Sequence, residues 1–128
     1  MGKMDEMILV VERAHLFENE TLTFQGVLTD QENVKKIMKK FDAYKEMRRG
    51  DAEENPAYKQ PIPYVILKRG NEVFVYKRLK GGGEKRLHEQ LSIGVGGHMN
   101  RINDVHNWGT NLMMNMYREL NEEVYVVR

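Results

Sequence analysis

The chain has 128 residues, 41% of them hydrophobic, a formal net charge of +1 and no cysteine. This length suits one folded domain rather than two independent cores. The near-neutral charge argues against a nucleic-acid binder driven by bulk electrostatics, which would carry a clear basic excess. The lack of cysteine excludes disulfides and thiolate metal sites. The apolar run at residues 7–11 is too short for a signal peptide, so we expect a cytoplasmic protein without a membrane partner.

The N-terminal part is predicted to contain two strands and a helix. Residues 7–12 are apolar and rich in β-branched side chains, and residues 21–28 form a second candidate strand after a turn at 18–20. From Asp30, a plausible N-cap, apolar residues recur at three and four positions, which predicts an amphipathic helix to about residue 47. Its lysines are expected to form a solvated outer face rather than a phosphate or nucleic-acid site; they are Lys35, Lys36, Lys39 and Lys40.

Residues 48–63 are polar and contain the three prolines of the chain, which predicts a linker or an ordered excursion. It divides an N-terminal extension, residues 1–63, from a core of residues 64–128. Residues 64–68 and 72–78 have strong β propensity.

These two strands are joined at Gly70-Asn71, the dipeptide expected of a tight hairpin turn. The glycine-rich residues 80–89 predict a mobile loop, since they lack the strand-to-helix context and the ending of a phosphate-binding P-loop. Residues 91–95 are expected to form a strand that leads to Gly96-Gly97, where glycine allows close approaches.

A second helix is predicted to begin near residues 108–111, with Asn107 or Thr110 as its cap. The methionines at 113, 114 and 116 are expected to fill gaps in the core. The predicted apolar stripe comprises Leu112, Met113, Met116, Leu120 and Val124.

The strongest functional signal is Arg118-Glu119-Leu120-Asn121-Glu122-Glu123. On a helix, Glu119, Glu122 and Glu123 lie on one face, because the intervals i, i+3 and i+4 return to the same side. Like charges at that spacing repel each other unless a positive group lies on them. Three carboxylates on one rigid helix suit a hard divalent cation such as Mg²⁺, although a merely solvated glutamate face is the more common arrangement.

This segment resembles the signature of the Nudix hydrolase family, whose MutT-related members share a pattern of Gly, five residues, Glu, seven residues, then Arg-Glu-apolar-x-Glu-Glu-x-Gly-apolar. The matching residues are Arg118, Glu119, Leu120, Glu122, Glu123 and the apolar Val126. Gly96-Gly97-His98 looks like the turn that opens the motif. The resemblance implies an α/β (α+β) fold, a Nudix-like α/β/α sandwich with a mixed sheet and a Nudix box at about residues 97–126.

The chain departs from the family pattern in three ways. Gly97 and Arg118 are 21 positions apart, against about 14 in the family, so the loop is about seven residues longer. The first Glu of the motif falls on Thr110, which leaves Asp104 as the carboxylate that could replace it. The late Gly falls on Tyr125. Family members continue after the box, whereas this chain stops at Arg128, so we favour a fragment of a longer protein over a domain completed by the first sixty residues.

The resemblance implies a Mg²⁺- or Mn²⁺-dependent hydrolase that cleaves a pyrophosphate bond in a nucleoside diphosphate linked to another moiety. Glu119, Glu122 and Glu123 would hold the metal with the backbone carbonyl of Gly97, and Asp104 is a candidate further ligand. Glu122, Glu123 and Arg118 carry the catalytic roles, Arg118 by orienting a glutamate through an ion pair. His98, beside Gly97, would contact phosphate or serve as a structural hydrogen-bonding residue.

Two other interpretations stay open from the sequence. The chain could be a catalytically impaired Nudix-like module that binds a nucleotide or other ligand, or an interaction domain with a fortuitous glutamate cluster. An isopentenyl-diphosphate isomerase is disfavoured, because its catalytic cysteine has no counterpart in this chain. The expected partner is a small molecule of the nucleoside-diphosphate type, with no specific nucleic acid. An exposed sheet edge would also favour a homodimer.

Overall fold

The computed structural model describes residues 2–77 and 91–123, with side chains at all of them except 77 and 123. Within these residues the chain is an α+β structure of short antiparallel sheets and four α-helices, which confirms the predicted fold class. The strands are β1 Met7–Glu12, β2 Lys45–Arg48, β3 Tyr58–Lys59, β4 Tyr64–Ile66, β5 Lys68–Arg69, β6 Glu72–Val73, β7 Tyr76–Lys77, β8 Leu91–Ser92 and β9 Gly94–Gly96. The helices are α1 Arg13–Leu16, α2 Gln31–Lys40, α3 Arg49–Glu53 and α4 Trp108–Glu123.

Strand β1 is the centre of the core. It lies between β2 and β3 in a three-stranded antiparallel sheet. Successive side chains of a strand point to opposite faces, and here both faces are covered, so an uninterrupted apolar run is buried. Ile8 and Val10 pack with Ala52 of α3 on one face. Leu9 and Val11 belong to clusters on the other.

The cluster around Leu9 joins the N-terminal strand to α4. Leu9 packs with Met99 and Trp108, and its backbone N–H donates to the carbonyl of Met99 over 2.8 Å. The Trp108 ring stacks on Phe41, with ring centroids 4.7 Å apart and planes 11° apart. The division of the chain at residue 63 stays a prediction, and this apolar cluster has members on both sides of it.

The predicted turn at residues 18–20 is confirmed, and the strand predicted at 21–28 is wrong. Glu18, Asn19 and Glu20 all have positive φ, at 45°, 53° and 76°. The segment that follows is irregular and pairs with no strand of the described residues. Leu22 and Leu28 pack against the cluster that contains Val11, Leu16 and Ile37. Arg13 reaches across the turn, and its hydrogen bond lowers the pKa of Glu20.

The helix predicted from Asp30 begins as expected but ends early. The Asp30 carboxylate accepts from the backbone N–H of Glu32 at 3.0 Å, which confirms the N-cap. The helix ends at Lys40 rather than near 47, because residues 45–48 are needed as β2, where Met47 pairs with Ile8. Tertiary pairing therefore overrides helical periodicity here. Three of its lysines are exposed, as expected: Lys35, Lys36 and Lys39.

Residues 48–63 are ordered, so the alternative of a mere linker is wrong. They contain α3 and β3, and Ala52 of α3 is 3% exposed in the core. Strand β3 extends the sheet at the end of β1, where Val11 pairs with Lys59. The polar composition that suggested a linker reflects the small number of side chains that this segment buries.

The predicted hairpin turn at Gly70-Asn71 is confirmed, with Gly70 at a φ of +60°, but its strands are shorter than predicted. Only β5 and β6 pair across the turn. Strand β4 pairs with β9, and β7 with β8, so residues 91–95 belong to two strands rather than one. The β4–β9 pair delivers the chain to Gly97. The glycine-rich residues 80–89 lie outside the described part of the chain.

We expect Leu9→Ala to lower the free energy of unfolding by about 2–5 kcal/mol, since it empties a fully buried position between β1 and α4. The single tryptophan, Trp108, lies in the same cluster. Its fluorescence in a urea titration therefore measures the effect. Val27→Ala is the control, because Val27 is 85% exposed, and a change within about 0.5 kcal/mol is expected there. Equal stability of Leu9→Ala and the parent would contradict the shared core.

Candidate active site

Glycines bring β9 against β4 and lead the chain to the carboxylate helix. A side chain on Gly94 would overlap the ring of Tyr64. A Cβ on Gly96 would lie 3.1 Å from the backbone oxygen of Pro63, which is closer than an ordinary contact. The close approaches that the sequence predicted for Gly96 are therefore present, and they fix the position from which Gly97 and His98 face α4.

Helix α4 is capped by Asn107. Its side-chain oxygen accepts from the backbone N–H of Thr110 at 2.8 Å, so Asn107 rather than Thr110 is the cap. Trp108, the first residue of the helix, is buried in the core cluster described above. The cap and this anchor set the direction of the helix that carries the glutamates.

The buried face of α4 is largely polar, which differs from the predicted apolar stripe. Its buried positions are Trp108, Asn111, Asn115 and Glu119. Met113 and Met114 are 46% and 42% exposed, so the prediction that they fill the core is wrong. The sequence does carry a signal for this polar face. Residues 107, 111, 115 and 119 follow one another at intervals of four, and all four have side chains that form hydrogen bonds or carry charge.

Asn115 is fully buried and connects α4 to the loop after Gly97. Its side-chain oxygen accepts from the backbone N–H of Asn100 at 2.8 Å, and its amide donates to the Asn100 carbonyl at 3.0 Å. The same amide donates to the carbonyl of Asn111. A buried amide with satisfied donors and acceptor fixes geometry strongly, because breaking any one bond leaves a desolvated polar group.

Arg118 lies between the loop and the carboxylates. Its Nη2 donates to the backbone carbonyl of His98 at 2.9 Å and to Oδ1 of Asn115 at 3.0 Å. The same nitrogen is 3.3 Å from Glu119 Oε1, and Nη1 is 3.6 Å from Glu122 Oε1. One guanidinium therefore offsets the repulsion between the two glutamates, and the catalytic role implied for Arg118 by the family resemblance stays a prediction.

Glu119 is buried against the glycine turn. The residue is 8% exposed, whereas the side chain of Glu122 is 55% exposed. A Cβ built on Gly97 would overlap the Glu119 carboxylate. Only glycine at this position lets the carboxylate lie directly on the backbone. Two of the predicted metal-binding groups, the Glu119 carboxylate and the Gly97 backbone, are thus brought together.

His98 connects this turn to the N-terminal part of the chain. Its Nε2 is 2.7 Å from Oε1 of Gln60 and 4.0 Å from Oε1 of Glu53. Arg49 lies 3.6 Å from Glu53 and 3.5 Å from Glu6. The His98 imidazole therefore has a hydrogen-bonded role. Its proposed contact with phosphate stays a prediction.

Asn100 completes the connection to β1. Its side-chain amide donates to Oε1 of Glu6 at 2.9 Å and to the carbonyl of Met7 at 2.8 Å. The loop that follows Gly97 is thus bonded on one side to α4 and on the other to the N-terminal strand.

Asp104 lies at the other end of α4. It has a φ of +65° and lines a hollow of about 300 Å³ with neighbours that include Asn107 and Thr110. Glu119 is nine positions beyond Thr110, about 13 Å along a helix axis at about 1.5 Å per residue. Asp104 therefore does not lie beside the glutamate cluster in this structure. The side chain of Glu123 lies outside the described part, as does Val126.

Comparisons with known proteins bear on the fold. No known family profile matches the sequence. The chain is 57% identical over 127 residues to Protein YmaB of Bacillus subtilis (strain 168), covering 98% of this chain and 62% of the relative. The crystal structure of "Tm1382, a putative Nudix hydrolase" superimposes with a TM-score of 0.69 at 31% identity, covering 95% of this chain and 60% of that one.

The chain has a Nudix-like fold. It spans about three fifths of the length of both proteins. The structural match covers nearly the whole chain, so the N-terminal strand, α3 and β3 are part of what the two structures share.

The Nudix-like arrangement supplies donors of the type that a hard cation takes. Carboxylate and carbonyl oxygens are the preferred ligands of Mg²⁺ and Mn²⁺. Glu119 and Glu122 share Arg118, and Gly97 has no side chain to separate its backbone from Glu119. Among residues 2–77 and 91–123, no three His, Asp or Glu side chains already form a metal-holding group. The donor set fits the ion chemically, and Glu123 would have to join it.

Gly97→Ala should displace the Glu119 carboxylate, since the added methyl group occupies its place. We expect a loss of about 1 kcal/mol in the free energy of unfolding, at the low end for an overpacked site, because the displaced atoms are the end of a flexible side chain. Calorimetry should also show weaker Mn²⁺ binding.

Gly109→Ala is the matched control. Its Cβ would meet Asn107 Oδ1 at an ordinary 3.5 Å, and alanine in a helix is favoured over glycine by about 0.5–1 kcal/mol. A Gly97→Ala protein as stable as the Gly109→Ala protein would show that Gly97 is not needed for this contact.

Proposed function

We propose that the chain forms the core of a Mg²⁺- or Mn²⁺-dependent Nudix hydrolase. Its reaction is cleavage of a pyrophosphate bond in a nucleoside diphosphate linked to another moiety. The similarity to Tm1382 supports a hydrolase of this fold, and the metal and the substrate class rest on the residues of the site.

One observation carries this proposal: the Glu119 carboxylate lies on the backbone of Gly97 and beside the guanidinium of Arg118. Burying a carboxylate is costly unless hydrogen bonds or charges compensate it. A glycine turn and a fixed arginine that together hold such a group are typical of a site built for a ligand. A merely solvated glutamate face would need neither.

Glu119, Glu122, Glu123 and the Gly97 carbonyl would hold the cation. When bound, the cation offsets charge on the phosphate oxygens and lowers the pKa of a coordinated water. The chain's own contribution is positional. Arg118 holds Glu119 and Glu122 on one side of the helix, and His98 holds Arg118 through its backbone carbonyl.

A second candidate is a Nudix-like module that binds its ligand without turnover. The observation in its favour is the contact of both Glu119 and Glu122 with Arg118, together with the distance of Asp104 from them. In that case Arg118 itself would neutralise the carboxylates, and the missing first Glu of the motif would not be replaced.

The partners are proposed on the same basis. A small molecule of the nucleoside-diphosphate type is the expected substrate, and a cytoplasmic location and a homodimer remain proposals. No helix in the described part of the chain is long and apolar enough to cross a membrane. Because the chain spans about three fifths of its relatives, the activity of the whole protein is a proposal as well.

Hydrolysis should require the glutamate cluster. With Mn²⁺ and a panel of nucleoside-diphosphate compounds, Glu122→Gln and Glu123→Gln are expected to lower kcat at least about a hundredfold, because a metal contributes several kcal/mol to the transition state and about 1.4 kcal/mol is a factor of ten. Product release measured by chromatography tests this.

Glu32→Gln is the matched control, since it removes an exposed glutamate from α2 and should leave the rate unchanged. Unchanged binding of a panel compound in all variants, with no product from any of them, would favour the non-hydrolytic module. No binding and no product would contradict both candidates.

A further inference from the structure

The contacts of Arg118 divide into short ones to neutral oxygens and longer ones to carboxylates. Nη2 is 2.9 Å from the carbonyl of His98 and 3.0 Å from Oδ1 of Asn115. The contacts to Glu119 and Glu122 are 3.3 and 3.6 Å. An unrestrained guanidinium beside two carboxylates would form the shorter, charge-assisted bonds of about 2.7–2.9 Å that are typical of such pairs. Something therefore holds Arg118 away from the closest approach.

Asn115 has the rigidity to do this. It is fully buried, and the backbone of Asn100 holds its side chain through both a donor and an acceptor. Its amide also bonds to the carbonyl of Asn111. The position of Oδ1 is thus set by the loop and the helix together, before Arg118 is considered. An acceptor fixed in this way determines where Nη2 lies.

We propose that Asn115 is a positioning residue that restrains Arg118, so that Glu119 and Glu122 keep their capacity to bind a divalent cation. This inference rests on the proposed metal-dependent function and adds a residue at a position that the motif leaves unspecified. Without the Asn115 acceptor, Arg118 closes on the two carboxylates. The arginine then competes with the cation, because both neutralise the same oxygens.

Two substitutions of Asn115 separate this role from a structural one. Asn115→Ala removes the acceptor for Arg118 together with the bonds to Asn100. Asn115→Asp removes the amide donors but keeps an acceptor for Arg118. Both variants should be less stable in thermal unfolding, since both leave the Asn100 carbonyl without the amide that donates to it. Only Asn115→Ala should weaken Mn²⁺ binding, by about tenfold in Kd measured by calorimetry without substrate, a change worth about 1.4 kcal/mol.

Asn111→Ala is the matched control. Asn111 is equally buried, lies one turn earlier on the same face and donates to Tyr44 rather than contacting Arg118. Its replacement should lower stability and leave the Kd for Mn²⁺ unchanged. Where circular dichroism shows Asn115→Ala to be unfolded, Asn115→Ser replaces it, because a serine hydroxyl can bond to the carbonyl four residues before it and leaves Arg118 without the acceptor.

A double variant tests the route through Arg118. If Asn115 acts by restraining this arginine, Asn115→Ala should have no effect on Mn²⁺ binding in an Arg118→Ala background. A structural role would weaken binding by the same factor in both backgrounds.

The outcomes of these experiments distinguish a failure of this inference from a failure of the proposed function on which it rests. If the full chain binds Mn²⁺ with the same Kd in the parent and in Asn115→Ala, the positioning role alone is overturned. So does equal weakening by Asn115→Asp and Asn115→Ala. Absence of Mn²⁺ binding in the parent chain, or heat that is unaffected by Glu119→Gln, overturns the proposed metal site and this inference with it.

Discussion

The hydrogen bonds between the buried Asn115 side chain and the backbone of Asn100 are the constraint on which the candidate site depends. They join the helix that carries the glutamates to the loop that follows the glycine turn. Arg118 is placed by the same amide and by the carbonyl of His98. A buried polar connection of this kind specifies one arrangement, because slippage would leave several desolvated groups unpaired.

The N-terminal sheet stabilises this connection through apolar contacts and hydrogen bonds. Strand β1 contributes Leu9 to the apolar cluster around Trp108, and Glu6 and Met7 receive hydrogen bonds from the side chain of Asn100. Segment 48–63 adds contacts to His98 through Gln60 and Glu53. The residues that contact the glycine turn and the loop after it thus come from the N-terminal half of the chain and from α4. This agrees with the structural likeness to Tm1382, which covers 95% of this chain.

Local structure was predictable from the sequence wherever a single residue type determines the backbone conformation. The Asp30 cap and the Gly70-Asn71 turn follow from the side-chain oxygen of aspartate and the freedom of glycine at positive φ, at 60° for Gly70. The prediction that the helix extends to residue 47 was wrong, because periodicity cannot show that Met47 pairs with Ile8 of β1. Long-range pairing of this kind leaves no local signal.

For the site, the sequence identified the carboxylates, the glycine turn and Arg118, but not Asn115, which connects them. The pattern of asparagines at 107, 111 and 115 was visible, yet asparagine is rarely a core residue, so the buried face of α4 was assigned to an apolar stripe that included Met113, which is 46% exposed. The burial of Asn115 depends on the backbone of Asn100 as a partner. That partner is defined only once the loop has folded against β1.

The central claim is that Glu119 and its neighbours form a cation site on the glycine turn. Anomalous diffraction from crystals of the full chain soaked in Mn²⁺ tests it most directly. We expect a manganese peak within about 2.0–2.3 Å of a Glu119 carboxylate oxygen, a distance typical of carboxylate ligands of such ions. A fully occupied peak at Asp104 alone, or no peak at millimolar Mn²⁺, would contradict it.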